Sequence, residues 1–375
     1  MQACTPAAGR ARRIVPGVKD DVSRAELQLA TRNHGMPLEV LHYPITPVGL
    51  HYLLIHYDIP LVEASDWRLR VDGSVEHELK LSLDDLGAMP VTTRALTMEC
   101  AGNGRALLEP RPASQPWLVE AVGTGEWTGV ELRHVLGAAS LEKSAVEILF
   151  TGADRGIEGG VEQSYQRSLT IEDAVEGGSL LAYELNGAPL PPQHGFPLRL
   201  VVPGWYGMTN VKWLSAITAI DAPFDGYQQV AGYRMRFDEN EPGEPVTRMV
   251  PRALLRPPGI PDFFTRARTV TAGVCVLDGR AWSGVAPIVS VDVSVDGGET
   301  WEAAQLDAAA SVAGTWIGWT YEWHATPGDY EVCCRATDAA GTPQPLHAEW
   351  NVGGYANNAV HRVPVRVVGA LDHQA

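Results

Sequence analysis

Short apolar runs, several of them alternating with polar residues, mark out the first half of the chain. Residues 50–60 are almost continuously apolar and end at Pro60, which predicts a buried strand. Residues 67–71 and 79–83 alternate as half-buried strands do, and Asp84-Asp85-Leu86 then predicts the start of a short helix. A second helix is predicted over residues 131–139. Further strands are predicted at residues 146–151, 180–184 and 198–202.

The pattern changes after residue 221. Prolines crowd residues 221–262, which predicts a long, partly extended connector. Beyond it, valines at alternate positions from Val289 to Val295 indicate a strand, and Asp296-Gly297-Gly298 indicates a hairpin turn. Two more strands are predicted at residues 316–323 and 330–336. About 110 residues with several short strands are typical of an immunoglobulin-like sandwich.

These patterns predict an α+β protein in four parts. Residues 1–45 form an N-terminal arm, residues 46–225 a mixed catalytic domain, residues 226–262 the proline-rich connector, and residues 263–375 the sandwich. A chain of 375 residues is long enough for such domains to bury their own cores.

Charge and cysteine usage exclude several classes of function. The formal net charge of −16 argues against a nucleic-acid partner. No apolar run is long enough for a signal peptide or a membrane span, so the sequence as given predicts a cytoplasmic protein without a membrane partner. A periplasmic location would require that a leader has been removed. The five cysteines contain no Cys-x-x-Cys pair, which gives little support to a zinc or iron–sulfur site.

Cys100 is the first candidate for chemistry. It follows an apolar run and opens the turn Cys100-Ala101-Gly102-Asn103-Gly104, with Arg105 directly behind. A nearby positive charge favours the thiolate, the form of cysteine that attacks carbon or binds metal. A small buried cysteine beside a turn is the alternative.

A second cluster contains His194, Arg199, Asn210 and Lys212 around one predicted strand and a glycine-rich loop. Such groups can hold a phosphate through charge-assisted hydrogen bonds, although a rim of solvated surface charges would have the same composition. The segment Gly123-Thr124-Gly125-Glu126-Trp127-Thr128-Gly129 has the wrong glycine spacing for a dinucleotide loop, and no strand leads into a helix there.

The segment Met98–Arg105 resembles the signature of the sulfite oxidase family of molybdenum enzymes, although Gly104 stands where that family usually has the first of two arginines. The resemblance implies a sulfite oxidase-type molybdopterin domain in which Cys100 is the protein ligand of molybdenum. It implies that the molybdopterin is held by His56, Asp154, His194, Arg199, Asn210 and Lys212.

The same resemblance implies three further residues at the reacting centre. Arg105 would bind the anion with His56, Tyr233 would place its hydroxyl near the metal, and Trp127 would line the pocket wall. A loop tyrosine packed on the connector and a buried structural tryptophan are the alternatives for the last two. The β domain resembles the dimerisation domain of the family, which implies a homodimer. No haem signature is present in the sequence.

Two departures concern the substrate. Leu54 and Gly353 occupy positions where the family usually has anion-binding arginines, and Arg155, Arg234 or His56 would have to replace them. The predicted function is oxygen-atom transfer, oxidising sulfite to sulfate with electrons passed to an external acceptor such as a cytochrome. The alternatives are the same cofactor acting on a sulfoxide or another oxyanion, and a binding scaffold without a cofactor.

Overall fold

The computed structural model describes residues 22–308 and 311–369. The predicted N-terminal arm therefore lies partly outside the described residues, as do the last residues of the β domain. Its described part begins with helix α1, Arg24–Arg32, where Ser23 caps the helix and exchanges hydrogen bonds with Glu26. Further along, Met36 and Leu41 are fully buried in a cluster that also contains Met249 and Trp282. The arm is thus packed between the two larger parts of the molecule.

The first large domain consists mostly of strands with short helices. Its helices are α2 Leu83–Gly87, α3 Leu132–Ala139, α4 Ile171–Glu176 and α5 Tyr227–Val230. Its strands are β1 Leu69–Gly73, β2 Leu79–Leu81, β3 Val91–Glu99, β4 Val122–Glu131, β5 Glu147–Glu158, β6 Val161–Thr170, β7 Leu180–Leu185, β8 Ala188–Pro189, β9 Arg199–Val201, β10 Leu214–Ile220, β11 Arg234–Met235 and β12 Glu244–Pro245.

Two sheets of this domain pack against each other and against α3. One has the order β2-β1-β10-β5-β6, in which only β1 and β10 are parallel. The other has the order β3-β4-β7-β8, with β9 also beside β7. Side chains from both sheets and the helix share one core, which includes Leu69, Leu132, Val135, Ile148, Phe150, Leu181 and Leu200. Strands β3 and β9 and the end of β10 thereby reach the same region, where the predicted site residues lie.

The strand predicted at residues 50–60 is wrong. Residues Val48–Leu50 form a short 3-10 helix, and an extended segment without ladder pairing follows, apart from one bridge between Leu53 and His34. Side chains satisfy its backbone instead: Asn33 Oδ1 accepts from the Ile55 N–H at 2.7 Å. The Nζ of Lys212 donates to the Leu54 carbonyl oxygen at 2.8 Å. Within this run His51, Tyr52 and Ile55 are buried without belonging to a sheet, whereas Leu50 and Ile59 are exposed.

The second large domain is all β. Its strands are β13 Arg252–Leu255, β14 Ile260–Pro261, β15 Arg268–Thr271, β16 Gly273–Trp282, β17 Ile288–Ser294, β18 Glu302–Ala303, β19 Gln305–Leu306, β20 Ile317–Ala325, β21 Gly328–Asp338 and β22 His361–Val368. They form two sheets, β13-β16-β20-β19 and β14-β15-β22-β21-β17-β18, which share one buried core. The immunoglobulin-like identity of this sandwich remains a prediction.

Two details differ from the sequence pattern. Strand β13 lies inside the predicted connector yet pairs with β16, so the sheet begins before residue 262. In β17 a register shift between Ile288 and Ser290 turns Val289 outward, while Val291 and Val293 are buried. A bulge changes which residues share a face, and alternation alone does not report it.

Among the described residues, no helix is long and apolar enough to cross a membrane.

Candidate functional site

The predicted cofactor and metal residues meet at one cleft. It lies between the ends of β3 and β9, the segment after β9, the part of β5 that contains Asp154, and the extended segment after residue 50. Its lining consists of His51, Tyr52, Leu53, Leu54, His56, Met98, Cys100, Ala101, Asp154, Tyr165, His194, Arg199, Gly207, Met208, Asn210, Lys212 and Tyr233.

Cys100 reaches the cleft because β3 ends immediately before it. The Cys100 carbonyl oxygen accepts from the Asn103 N–H at 2.9 Å, which closes the turn. Gly104 has a φ of +90°, a conformation that a residue with a Cβ adopts only with strain. Burial raises the pKa of the Cys100 thiol, and the charge of Arg105 only partly opposes this. The free thiol is therefore protonated at neutral pH, and a bound metal would have to displace its proton.

Arg199 and Lys212 supply positive charge deep in the cleft. Arg199 donates to the carbonyl oxygens of His194 at 3.0 Å and Asn210 at 3.2 Å. Lys212 Nζ donates to the carbonyl oxygens of Leu54 and Gln193. Burial lowers the pKa of Arg199 to about 10 and that of Lys212 to about 7. Backbone oxygens accept hydrogen bonds from both side chains, and the nearby Asp154 carboxylate also interacts with Lys212 electrostatically. Both cations lie where an anionic ligand in the cleft could reach them.

Three lining residues present buried polar atoms without a partner: Nε2 of His51, Oδ1 of Asp154 and Nε of Arg199. Burial raises the pKa of Asp154 to about 6 and lowers that of His51 to about 4. A buried polar group without a hydrogen bond is costly, so such a set is characteristic of a ligand site. An acceptor carboxyl, a neutral imidazole and a guanidinium fit a ligand with N–H groups and an anionic group.

A metal at Cys100 would need ligands from that same bound group. Among the described residues, no three His, Cys, Asp or Glu side chains cluster closely enough to hold a metal ion. One soft sulfur ligand beside a polar cleft therefore fits a metal that arrives in a large organic cofactor. The predicted molybdopterin meets this requirement.

His56 and Tyr233 form the polar pair of the cleft. The Tyr233 hydroxyl lies 2.5 Å from His56 Nε2, and the two residues are 177 positions apart in sequence. Burial lowers the pKa of His56 to about 3 and raises that of Tyr233, so both side chains are neutral at pH 7. Tyr233 has a φ of +53°, a strained conformation of the kind that collects at functional sites.

Two predicted residues do not line the cleft, and a third lines it with its amide group already hydrogen-bonded to the backbone. Trp127 belongs to β4, is fully buried and does not line the cleft; it packs against Arg199, whose Cζ is 4.8 Å from the ring centroid. Arg105 also does not line the cleft, and its Nε donates to the Gly353 carbonyl oxygen at 2.8 Å. Asn210 lines it, but its side-chain oxygen accepts from the Val202 N–H and its amide donates to a backbone oxygen.

Two of the three proposed substitutes for the missing arginines do not line the cleft either. Arg155 is exposed and pairs with Glu162 at 2.9 Å. The Nε of Arg234 donates to the Pro242 carbonyl oxygen. Of the three candidates only His56 lines the cleft, and it is neutral.

Sequence reasoning missed His51 and Tyr165. His51 lies inside the apolar run that was interpreted as a strand, and its contact with His194 is visible only in the structure. Tyr165 lies on β6, and its hydroxyl donates to the Met208 carbonyl oxygen at 2.7 Å while its ring packs beside His56. Nothing in the local sequence around Tyr165 indicated a site.

Models of two protein families match this chain. The oxidoreductase molybdopterin-binding domain matches residues 56–228, and the Mo-co oxidoreductase dimerisation domain matches residues 265–368.

Individual relatives match across both regions. The sulfite oxidase of Gallus gallus is 34% identical over 337 residues, which cover 85% of this chain and 72% of the chicken protein. The mitochondrial sulfite oxidase of Rattus norvegicus is 32% identical over 86% of this chain, and the chain spans 62% of its length. The NADH nitrate reductase of Solanum lycopersicum is 31% identical over 87% of this chain and 39% of its own length.

One solved structure matches nearly the whole fold. The sulfane dehydrogenase SoxCD from Paracoccus pantotrophus superposes with a TM-score of 0.78, covering 97% of this chain and 93% of that chain at 23% sequence identity. The two proteins therefore share the arrangement of both domains.

Proposed function

The chain belongs to the sulfite oxidase family of molybdopterin oxidoreductases, and we propose that it transfers an oxygen atom to the sulfur of sulfite, giving sulfate. One observation carries the proposal. The thiol of Cys100 lines the same cleft as Arg199 and Lys212, so a single ligand can contact all three. The oxygen atom would come from water, and the two electrons released would leave to an external acceptor such as a cytochrome.

The cleft residues suit the cofactor in distinct ways. Cys100 would be the single protein ligand of the metal, and Arg199 and Lys212 would hold the anionic end of the pterin. The unpartnered atoms of His51 and Asp154 would bind its N–H groups. When bound, the molybdenum cofactor supplies oxygen-atom exchange and stores two electrons.

The polar pair of the cleft would orient the substrate. Because Tyr233 keeps its proton at neutral pH, its hydroxyl can donate a hydrogen bond to a substrate oxygen. When the neutral His56 carries its proton on Nδ1, its Nε2 accepts the hydrogen bond from the Tyr233 hydroxyl in the absence of substrate. The pair thus holds the Tyr233 hydroxyl in place as a hydrogen-bond donor without burying a charge. The surrounding side chains of Leu54, Met98 and Met208 exclude water.

Metal analysis with the Cys100→Ser variant tests the proposal. We expect about one molybdenum per chain in the wild type, turnover of sulfite with an artificial electron acceptor, and loss of turnover in the variant. Serine is nearly isosteric, but its hydroxyl loses its proton far less readily than a thiol does. Normal turnover by a metal-loaded Cys100→Ser protein would contradict the ligand assignment. Wild-type protein that binds neither metal nor pterin would support the scaffold alternative.

A second candidate substrate is a sulfur compound that carries less negative charge than sulfite, such as a sulfoxide. The observation that favours it is the lining of the cleft. Among its described residues Arg199 is the one arginine, and backbone oxygens already hold it. Leu54 presents an apolar surface where a guanidinium would bind an oxyanion. A panel of oxyanions and neutral sulfur compounds would separate the two candidates.

Introducing a positive charge at position 54 tests whether this side of the cleft faces the substrate. A buried charge-assisted hydrogen bond contributes about 1.5–3 kcal/mol, so Leu54→Arg should lower the KM for sulfite by about 10- to 100-fold. Leu61→Arg adds the same charge at a side chain that is 95% exposed, and it should leave KM unchanged. An unchanged KM in Leu54→Arg, with cofactor content intact, would show that this side of the cleft does not face the substrate.

A further inference from the structure

The turn that carries Cys100 is held from two sides, and one side belongs to the second domain. Asn357 Nδ2 donates to the Gly104 carbonyl oxygen at 2.7 Å. The N–H of the next residue back, Ala356, donates to the Ala101 carbonyl oxygen at 2.8 Å. Two backbone oxygens of a five-residue turn are thus bound by a segment more than 250 residues away in sequence.

A buried carboxylate forms the centre of this contact. Glu99, the residue before Cys100, accepts at Oε1 from Arg252 at 2.8 Å and from Asn103 Nδ2 at 3.0 Å. Its Oε2 accepts from Trp282 Nε1 at 2.9 Å. The side chains of Glu99 and Arg252 are only 2% and 3% exposed. Arg252 begins β13 and Trp282 ends β16, so both donors come from the sheet of the second domain.

Arg252 joins the two segments that meet at the turn. Besides Glu99, its Nη1 donates to the carbonyl oxygens of Asn357 at 2.9 Å and Asn103 at 3.4 Å. Asn357 in turn binds Gly104, so the contacts form a closed ring around the turn. A buried ion pair contributes little net stability, but it fixes geometry, because breaking it leaves a charge uncompensated.

We propose that Arg252 and Asn357 are positioning residues for Cys100, so that the second domain completes the turn and directs the thiol into the cleft. The domain then has a role within each chain in addition to any role in assembly. The proposal rests on the function proposed above only in that it concerns the predicted metal ligand. The position of the thiol itself can be measured without metal.

Alkylation of the metal-free protein by iodoacetamide, with the modified peptides quantified by mass spectrometry, tests the proposal. Cys100 is 7% exposed and should react slowly in the wild type. Asn357→Ala and the charge-neutral double variant Glu99→Gln/Arg252→Met should each raise its rate at least 10-fold. Arg252→Lys keeps the charge and should stay within about 3-fold of wild type. Arg335→Met breaks an ion pair elsewhere in the second domain and should have no effect.

Cys334 provides an internal reference for unfolding, because it is fully buried in the core of the second domain. Faster alkylation of Cys100 with an unchanged alkylation rate at Cys334 supports the proposal. Equal rises at both cysteines would show that the network only stabilises the fold, and unchanged rates in every variant would show that it does not position the turn. Either result overturns the proposal.

Failure of the ligand assignment is distinguished by Cys100→Ser. A molybdenum-loaded serine variant that turned over sulfite normally would contradict the proposed function and would leave the alkylation result standing.

Discussion

At the level of single residues, buried groups without hydrogen-bond partners affect the stability of this protein, as Asp154 shows. Asp154 is 5% exposed, and burial raises its pKa from 3.8 to about 6. The folded chain therefore binds more protons than the unfolded chain between these pH values. The stabilisation from the protonated acid is complete below pH 3.8 and is lost as the pH rises through 6.

Asp154→Asn should consequently stabilise the cofactor-free protein. The shift corresponds to about 3 kcal/mol of cost at pH 7, because the ionised carboxylate is buried without a partner at Oδ1. We expect a higher melting temperature at pH 7 and a smaller loss of stability between pH 4 and 6. Urea titrations across this range measure both effects. Asp66→Asn, at an exposed position, serves as the control, and an equal gain there would contradict the explanation.

Trp127 and Asn210 contact the cations and the loop of the site. Trp127, predicted for the pocket wall, packs against the guanidinium of Arg199. Asn210, predicted as a cofactor contact, lines the cleft, and its amide joins Val202 to Tyr206. Direct contact of either residue with a ligand stays a prediction.

At the level of elements, strand β4 depends on a close contact between its backbone and that of β7. Gly129 lies at the register shift between β4 and β7, and a Cβ there would overlap the Leu181 carbonyl oxygen. The neighbour is a backbone atom of a central strand, so it cannot rotate away as a flexible side chain could. The glycine therefore permits the sheet to bend where it packs on α3 and the core.

Gly129→Ala should destabilise the protein by 3 kcal/mol or more, or prevent folding, a cost at the upper end of the roughly 1–3 kcal/mol typical of overpacking. The midpoint of urea unfolding measures it. Gly137→Ala is the matched control, because Gly137 lies inside α3 and a Cβ there meets nothing within 4 Å. That change should stabilise the protein by about 0.5–1 kcal/mol, as alanine favours a helix. Destabilisation of equal size by both variants would contradict the steric argument.

At the scale of the whole molecule, the match to a dimerisation domain leads us to expect a homodimer. Several large apolar side chains of this domain are exposed in the single chain, among them Ile260, Phe263, Phe264, Val274 and Val276. Exposed apolar side chains in such number favour burial against another surface. They make association of two chains the simplest expectation.

Light scattering coupled to size exclusion tests this expectation. We expect a mass twice that of the chain at micromolar concentration, and the same mass in 1 M salt, because burial of apolar surface is not screened by ions. Dissociation by salt would instead indicate a polar interface. A monomer under both conditions would contradict the expectation.

The sequence by itself determined which residue types are available for chemistry and the elements with strong local patterns. It singled out Cys100 as a candidate thiol, with metal ligation implied only by the family resemblance, and it grouped Lys212 and Arg199 around one predicted strand and loop. It also located helices α2 and α3 and the strands whose apolar faces alternate. Cap, turn and periodicity signals act over a few residues, so a local pattern suffices to predict them.

Only the tertiary structure decided which groups meet. Glu99 and Arg252 are 153 positions apart, and the partners His56 and Tyr233 are 177 apart. The extended segment at residues 50–60 looks like a strand because burial by distant elements leaves the same apolar pattern as burial in a sheet. Whether Arg105 faces the cleft or the Gly353 carbonyl likewise depends on how the two domains dock. Such contacts arise from long-range packing, and no local sequence pattern encodes them.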